Sequence, residues 1–180
     1  MVTAYIGLGS NLGSRRENLL QAWSRLGEMT GVELLVLSAP YKTEPVGMES
    51  ANWFINAVGS LLTALEPEEL LGKMLAIEAG LGRKRHLKSK PEDRSVDLDL
   101  LYWGDRVSDN PRVILPHPEV ANRLFVLFPL TEIGPEVMHP VLKKTSLEML
   151  NECRAKQSQR SSGSGVRETS WSNELSEVSR

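Results

Sequence analysis

Apolar residues take every second position at Val2, Ala4, Ile6 and Leu8, with Thr3, Tyr5, Gly7 and Gly9 between them. A period of two predicts a strand with one face on a core, running to about Gly9. The period then changes. Leu19, Leu20, Trp23 and Leu26 recur at helical spacing, and Ser14 followed by Glu17 has the capping-box pattern, so a helix is expected up to Gly27. Val32 to Leu37 is a short apolar run of β-formers and Phe54 to Leu62 alternates again, with Ala39 to Asn52 as the loop between them. Pro67 suits the first turn of a second helix, which buries Leu70, Leu71, Met74 and Leu75 and stops at Gly80 and Gly82. Alternation resumes at Val96, Leu98 and Leu100, with Asp97 and Asp99 on the opposite face.

The order β-α-β-β-α-β is that of an α+β, ferredoxin-like fold: an antiparallel sheet with both helices on one face and the other face free for a site. Beyond it, Pro116 to Leu130 reads as a short helix and loop, and Thr145 with Glu148 caps a last helix carrying Leu147, Leu150 and Cys153. One folded domain is therefore expected over 1–154. Residues 155–180 are Ser, Arg, Glu and Gly with scattered apolar positions, too few to offset the entropy of ordering them, and read as a disordered passenger tail.

Composition alters this picture little. The 180 residues are 41% hydrophobic and 24% charged, average for a globular protein and silent on function. A net charge of -2 provides no global field for nucleic acid or an anionic membrane, so neither is expected as a partner. The single cysteine, Cys153, excludes an internal disulfide and a Cys-built zinc site and fits a cytoplasmic setting. The N-terminus lacks a signal-peptide pattern, and no run approaches the roughly 18 apolar residues of a membrane span.

Candidate chemistry centres on Asp97 and Asp99. Carboxylates at i and i+2 of a strand point the same way and repel unless a hard cation such as Mg²⁺ lies between them and phosphate oxygens. An isolated Asp-x-Asp is more often a solvated strand face. Here Arg83, Lys84, Arg85 and Arg94 lie just upstream, with His117 and Arg123 downstream, so groups able to grip phosphates adjoin groups able to grip their metal. The glycines of Gly7 to Gly13 fit neither a dinucleotide fingerprint nor a phosphate loop and read as a tight strand-to-helix turn. Phe54 and Asn56 share a strand face and suit a planar heterocycle.

With these pieces together the chain resembles the 6-hydroxymethyl-7,8-dihydropterin pyrophosphokinase family of folate biosynthesis, from Tyr5 to about Leu150. The likeness is carried by residues 7–13, Thr43-Glu44-Pro45, Gly82-Arg83-Lys84-Arg85, residues 94–99 and residues 115–125. It implies that family's ferredoxin-like fold and transfer of a pyrophosphoryl group from ATP, the co-substrate, to the pterin hydroxymethyl group. By the same likeness, Asp97 and Asp99 hold two Mg²⁺ ions, with Asp97 also near the pterin. Arg83, Arg85, Arg94, His117 and Arg123 contact the triphosphate, with Arg83 and Arg94 acting in catalysis. Glu78 lies near the nucleotide, and Leu100 and Ile114 contact adenine. Phe54 and Phe125 sandwich the pterin, while Asn56 and the backbone of Thr43, Glu44 and Val46 read its edge. The chain departs from the family in two places: the segment Ser89 to Asp93 is a residue longer and lacks a Trp, and Phe54 replaces a Tyr. A monomer is expected, with a dimer left open. The competing readings are a non-catalytic nucleotide- or pterin-binding module and a ferredoxin-like nucleic-acid binder; the second lacks clustered aromatics on a basic sheet face.

Overall fold

The first strand, β1 (Val2–Ser10), occupies the middle of the sheet, antiparallel both to β4 (Phe54–Thr63) and to β5 (Asp97–Trp103). The outer edge of β4 is divided. Its later half, Gly59 to Thr63, pairs with β2 (Val32–Leu37), and its first three residues pair with β3 (Tyr41–Thr43). The remaining elements are α1 (Arg15–Gly27), α2 (Pro67–Gly80), the hairpin β6 (Ser108–Asn110) and β7 (Val113–Leu115), α3 (Leu124–Ile133), α4 (Ser146–Ser158) and β8 (Arg167–Glu168). This computed structural model describes residues 1–48, 50–83, 92–158 and 165–172. Lys84, Arg85, Ser89 to Pro91, and residues 159–164 and 173–180 of the expected disordered tail lie outside the described residues.

The α+β, ferredoxin-like arrangement is the one the alternation predicts. Ala4, Ile6 and Leu8 of β1 and Leu98 and Leu100 of β5 are buried with Leu19, Ala22 and Leu26 of α1 and Leu70, Met74 and Ile77 of α2. A fully buried leucine of this kind contributes about 2 kcal/mol, so the two helices are held chiefly by this shared layer.

The opposite face is not wholly free. Val126 and Leu130 of α3 cover Val58, Leu101 and Tyr102, closing half of it. α3 is apolar nearly all round because α4 packs on its other side through Met149, Leu150 and Cys153 against Leu127. Only the half of the face near Gly7, Gly9 and Asp97 stays open.

Two capping expectations separate. Ser14 is the N-cap of α1 but makes no side-chain cap bond, so the capping box there does not form. At α4 it does: Glu148 Oε2 accepts the Thr145 amide at 2.8 Å, and the Glu148 amide donates to Thr145 Oγ1 at 3.2 Å. That box turns Ser146, Met149, Leu150 and Cys153 inward, leaving Leu147 42% exposed.

The expectation of disorder from Ala155 on also changes. α4 continues to Ser158, and β8 returns to pair with β3.

Candidate active site

Gly7 and Gly9 lie within β1, not in the turn after it, and form the floor of the site. Register places Gly9 between Asn56 of β4 and Asp97 of β5, and Gly7 opposite Asp99. A Cβ on Gly9 would lie 3.0 Å from Asn56 Oδ1, and one on Gly7 would lie 3.7 Å from the Asp99 Cβ. Missing side chains on the central strand therefore open a cavity of about 1090 Å³ over the uncovered half of the sheet. A cavity of that size holds two small-molecule ligands side by side.

One wall is charged. Asp97 accepts hydrogen bonds from Arg83 and, at 2.8 Å, from Arg94 Nη1. Arg83 is held from behind by Glu78, whose Oε1 accepts from Arg83 Nη1 at 2.6 Å and from the Leu98 amide at 2.8 Å. Glu78 is 1% exposed, and these two donors satisfy its buried carboxylate. Burial, followed by the charge of Asp97, pushes the Asp99 carboxyl up to about 6; Arg123 and Arg94 oppose the shift and Glu78 adds to it. A carboxyl raised by burial beside a second carboxylate can take up a cation in place of a proton. Among the described residues no third His, Cys, Asp or Glu joins the pair to build a closed metal cage. The donor set therefore fits a hard cation that takes its other oxygens from water and phosphate, as Mg²⁺ does.

Across the cavity, burial and then the nearby Arg123 hold the His117 imidazolium below its usual range. His117 Nδ1 accepts the Glu119 amide at 3.1 Å, which leaves Nε2 as the ring's donor. The Arg123 guanidinium lies 5.7 Å from the centre of the Phe125 ring, and that of Arg94 lies 5.5 Å from the centre of Phe54.

The remaining wall is flat and polar-edged. Phe54 is 8% exposed, and Asn56 Nδ2 donates to Thr43 Oγ1 at 2.7 Å, which points the amide oxygen toward Gly9. β3, inside the segment expected to be loop, brings Thr43 to this position, and Glu44 and Val46 follow along the cavity wall. Twelve of the sixteen expected site residues line the cavity: Thr43, Glu44, Val46, Phe54, Asn56, Arg83, Arg94, Asp97, Asp99, His117, Arg123 and Phe125. Glu78 lies behind it, and Leu100 belongs to the helix-side core. Ile114, 48% exposed, lines a second cavity of about 480 Å³ beside His117. Arg85 lies outside the described residues.

One cluster was not anticipated. Asp93 accepts from Asn11 Nδ2 and from Asn52 Nδ2, both at 2.6 Å, while Asn11 Oδ1 accepts the Arg94 amide at 2.7 Å. Asp93 thus ties the β1-α1 turn and the loop before β4 to the arginine that holds Asp97. Hydrogen bonding from Ser50 first, then from Asn52 and Asn11, with the charge of Arg94, holds its carboxyl below the usual range, against the opposing effect of burial. Its only sequence signal was a place in the segment that departs from the family pattern.

Against protein-family models, residues 5–135 match 7,8-dihydro-6-hydroxymethylpterin-pyrophosphokinase (HPPK). Among curated proteins the chain is similar to a 2-amino-4-hydroxy-6-hydroxymethyldihydropteridine pyrophosphokinase of Methylorubrum extorquens, 43% identical over 139 residues, covering 77% of this chain and 86% of that protein. A protein of the same name from Aquifex aeolicus is 38% identical over 144 residues, covering 80% and 88%. Among solved structures, a Plasmodium falciparum HPPK-DHPS with pteroate superposes with a TM-score of 0.73 at 14% identity. The match covers 93% of this chain and 46% of that one, so the chain spans less than half the length of the solved chain and the likeness speaks for the fold.

Proposed function

The chain belongs to the 7,8-dihydro-6-hydroxymethylpterin-pyrophosphokinase family, and we propose that its cavity transfers pyrophosphate from ATP to the hydroxymethyl group of 6-hydroxymethyl-7,8-dihydropterin, releasing AMP. The observation that supports this most is the convergence of a carboxylate pair, three arginines and a flat, amide-edged slot on one cavity over the sheet. Two Mg²⁺ ions at Asp97 and Asp99 would supply the positive charge that neutralises the triphosphate and the leaving AMP.

The chain's own groups do the rest. Arg83 and Arg94, now bonded to Asp97, have their donors free for phosphate oxygens once Asp97 has another cationic partner. Arg123 and the Nε2 donor of His117 meet those oxygens from the other side, where charge develops during transfer. Phe54 and Phe125 offer ring faces to the pterin, and Asn56, fixed by Thr43, reads its edge with the segment of Glu44 and Val46. Glu78 acts from behind, holding Arg83. The exposed Ile114, in the second cavity beside His117, offers an apolar surface for the adenine, and Arg85 adds a further cation for the phosphates. Catalysis then rests on holding the hydroxyl in line with the β-phosphorus while its charge is neutralised.

Incubation with ATP, Mg²⁺ and 6-hydroxymethyl-7,8-dihydropterin tests this: AMP is expected in equal amount to the pterin diphosphate. ADP would mean ordinary phosphoryl transfer. Binding of both ligands without turnover would leave only the binding-module reading.

A further inference from the structure

Residues 165–172 run back along the open edge of β3 in a single antiparallel register. Glu168 faces Tyr41 and Arg167 faces Lys42. The Thr169 amide donates to the Pro40 carbonyl at 2.8 Å, and Trp171 Nε1 donates to the Ser38 carbonyl at 3.0 Å. Gly165 lies against Glu44: a Cβ there would be 3.0 Å from Glu44 Oε1 and 3.2 Å from the Trp53 ring. The contacts thus follow the chain from Ser38 to Glu44, the stretch that delivers Thr43 and Glu44 to the cavity.

Two anchors hold this segment. Trp171 packs against the core beneath the sheet, and Arg16 Nη2, in the first turn of α1, donates to Thr169 Oγ1 at 2.6 Å. Arg15, its neighbour, donates to the Trp53 carbonyl at 2.9 Å. The start of α1 therefore grips both the strap and the residue preceding Phe54. A three-residue edge strand with unpaired backbone groups is weakly held by itself, and pairing of its outer side restricts its motion. The family match ends at residue 135, so the strap lies outside it.

We propose that residues 165–172 are a positioning element for the pterin half of the site. By pinning β3 from outside, they set where Thr43 holds Asn56 and where Glu44 meets the pterin edge. The assignment of that half to pterin rests on the function proposed above. The strap's described contacts lie on the β3 side of the sheet and on α1, away from Arg83, His117 and Arg123.

The test uses the full chain with Thr169→Val, which removes the acceptor for Arg16, and separately Trp171→Ala, which removes the core anchor. Steady-state kinetics with each substrate varied should show KM for the pterin rising about five-fold or more, with KM for ATP within about two-fold of the parent. Adding a peptide of residues 163–175 to Trp171→Ala should lower the pterin KM again. An unchanged pterin KM in both variants, or an equal rise in both KM values, overturns the proposal. Should Trp171→Ala fail to fold, Thr169→Val decides alone. Absence of turnover in the parent chain would instead overturn the proposed function and leave the strap to be judged by pterin binding.

Discussion

Asp99 shares a face of β5 with Asp97, and its carboxyl is held up at about 6 against an ordinary 3.8. A raised acid destabilises the fold when ionised, so without metal its cost is absent below about pH 4, grows as pH rises and is complete above pH 6. Asp99→Asn should therefore stabilise the metal-free protein by on the order of 2 kcal/mol near pH 7.5 and by almost nothing near pH 4. Thermal unfolding in EDTA at the two pH values checks this, and equal shifts would show that the carboxyl is not raised. The same variant, and Asp97→Asn, should lower kcat/KM by at least about 100-fold, because under the proposed function each would remove a ligand to the cation that neutralises the phosphates. Gly9→Ala tests the floor. Its methyl would press on Asn56 Oδ1 at 3.0 Å, so KM for the pterin should rise about ten-fold with little change for ATP. The pair Asp97 and Asp99 was legible in the sequence because i and i+2 on a strand must share a face. The role of Gly7 and Gly9 was not, since a glycine's neighbours across a sheet depend on register.

At the scale of elements, the two capping patterns look alike in sequence and differ in the fold. Thr145→Ala should cost about 1 kcal/mol through the lost cap of α4, whereas Ser14→Ala should stay within about 0.5 kcal/mol because its side chain makes no cap bond. Urea unfolding of both variants checks the contrast; equal losses would refute it. The structure gives one reason for the difference: the turn ahead of α1 is held by Asn18, whose Nδ2 donates to the Leu12 and Ser95 carbonyls at 2.9 and 3.0 Å. α1, β2 and α2 begin and end within a few residues of where periodicity puts them. β3, β6 and β7 escape it because three residues are too few to display a period of two. α3 was legible as apolar, but which layer covers which of its faces was not.

For the whole molecule, two layers divide the work: helices α1 and α2 build the core on one side of the sheet, and α3 with α4 covers half of the other, leaving the site between them. Ligand binding should therefore stabilise the chain as a unit. Mg²⁺ with ATP at about 100 times Kd should add about 2.7 kcal/mol, raising Tm by several degrees, and EDTA should reverse it. Scanning calorimetry checks this, and an EDTA-insensitive shift would place the nucleotide away from Asp97 and Asp99. Among the described residues no helix is long and apolar enough to cross a membrane. The tail read as a passenger supplies the edge strand β8, because one tryptophan and a matching register suffice when an open strand edge is already present.

The sequence by itself determined the longer elements, the ferredoxin-like order, the facing carboxylates and the motifs of a pyrophosphokinase. These depend on covalent spacing within a few residues. Tertiary structure alone decided which half of the sheet stays open, that Glu78 supports Arg83 from behind, that Asp93 joins three loops, and that residues 165–172 brace β3. Each of those joins groups far apart in the chain, or turns on how buried a group is, and packing rather than local spacing sets both.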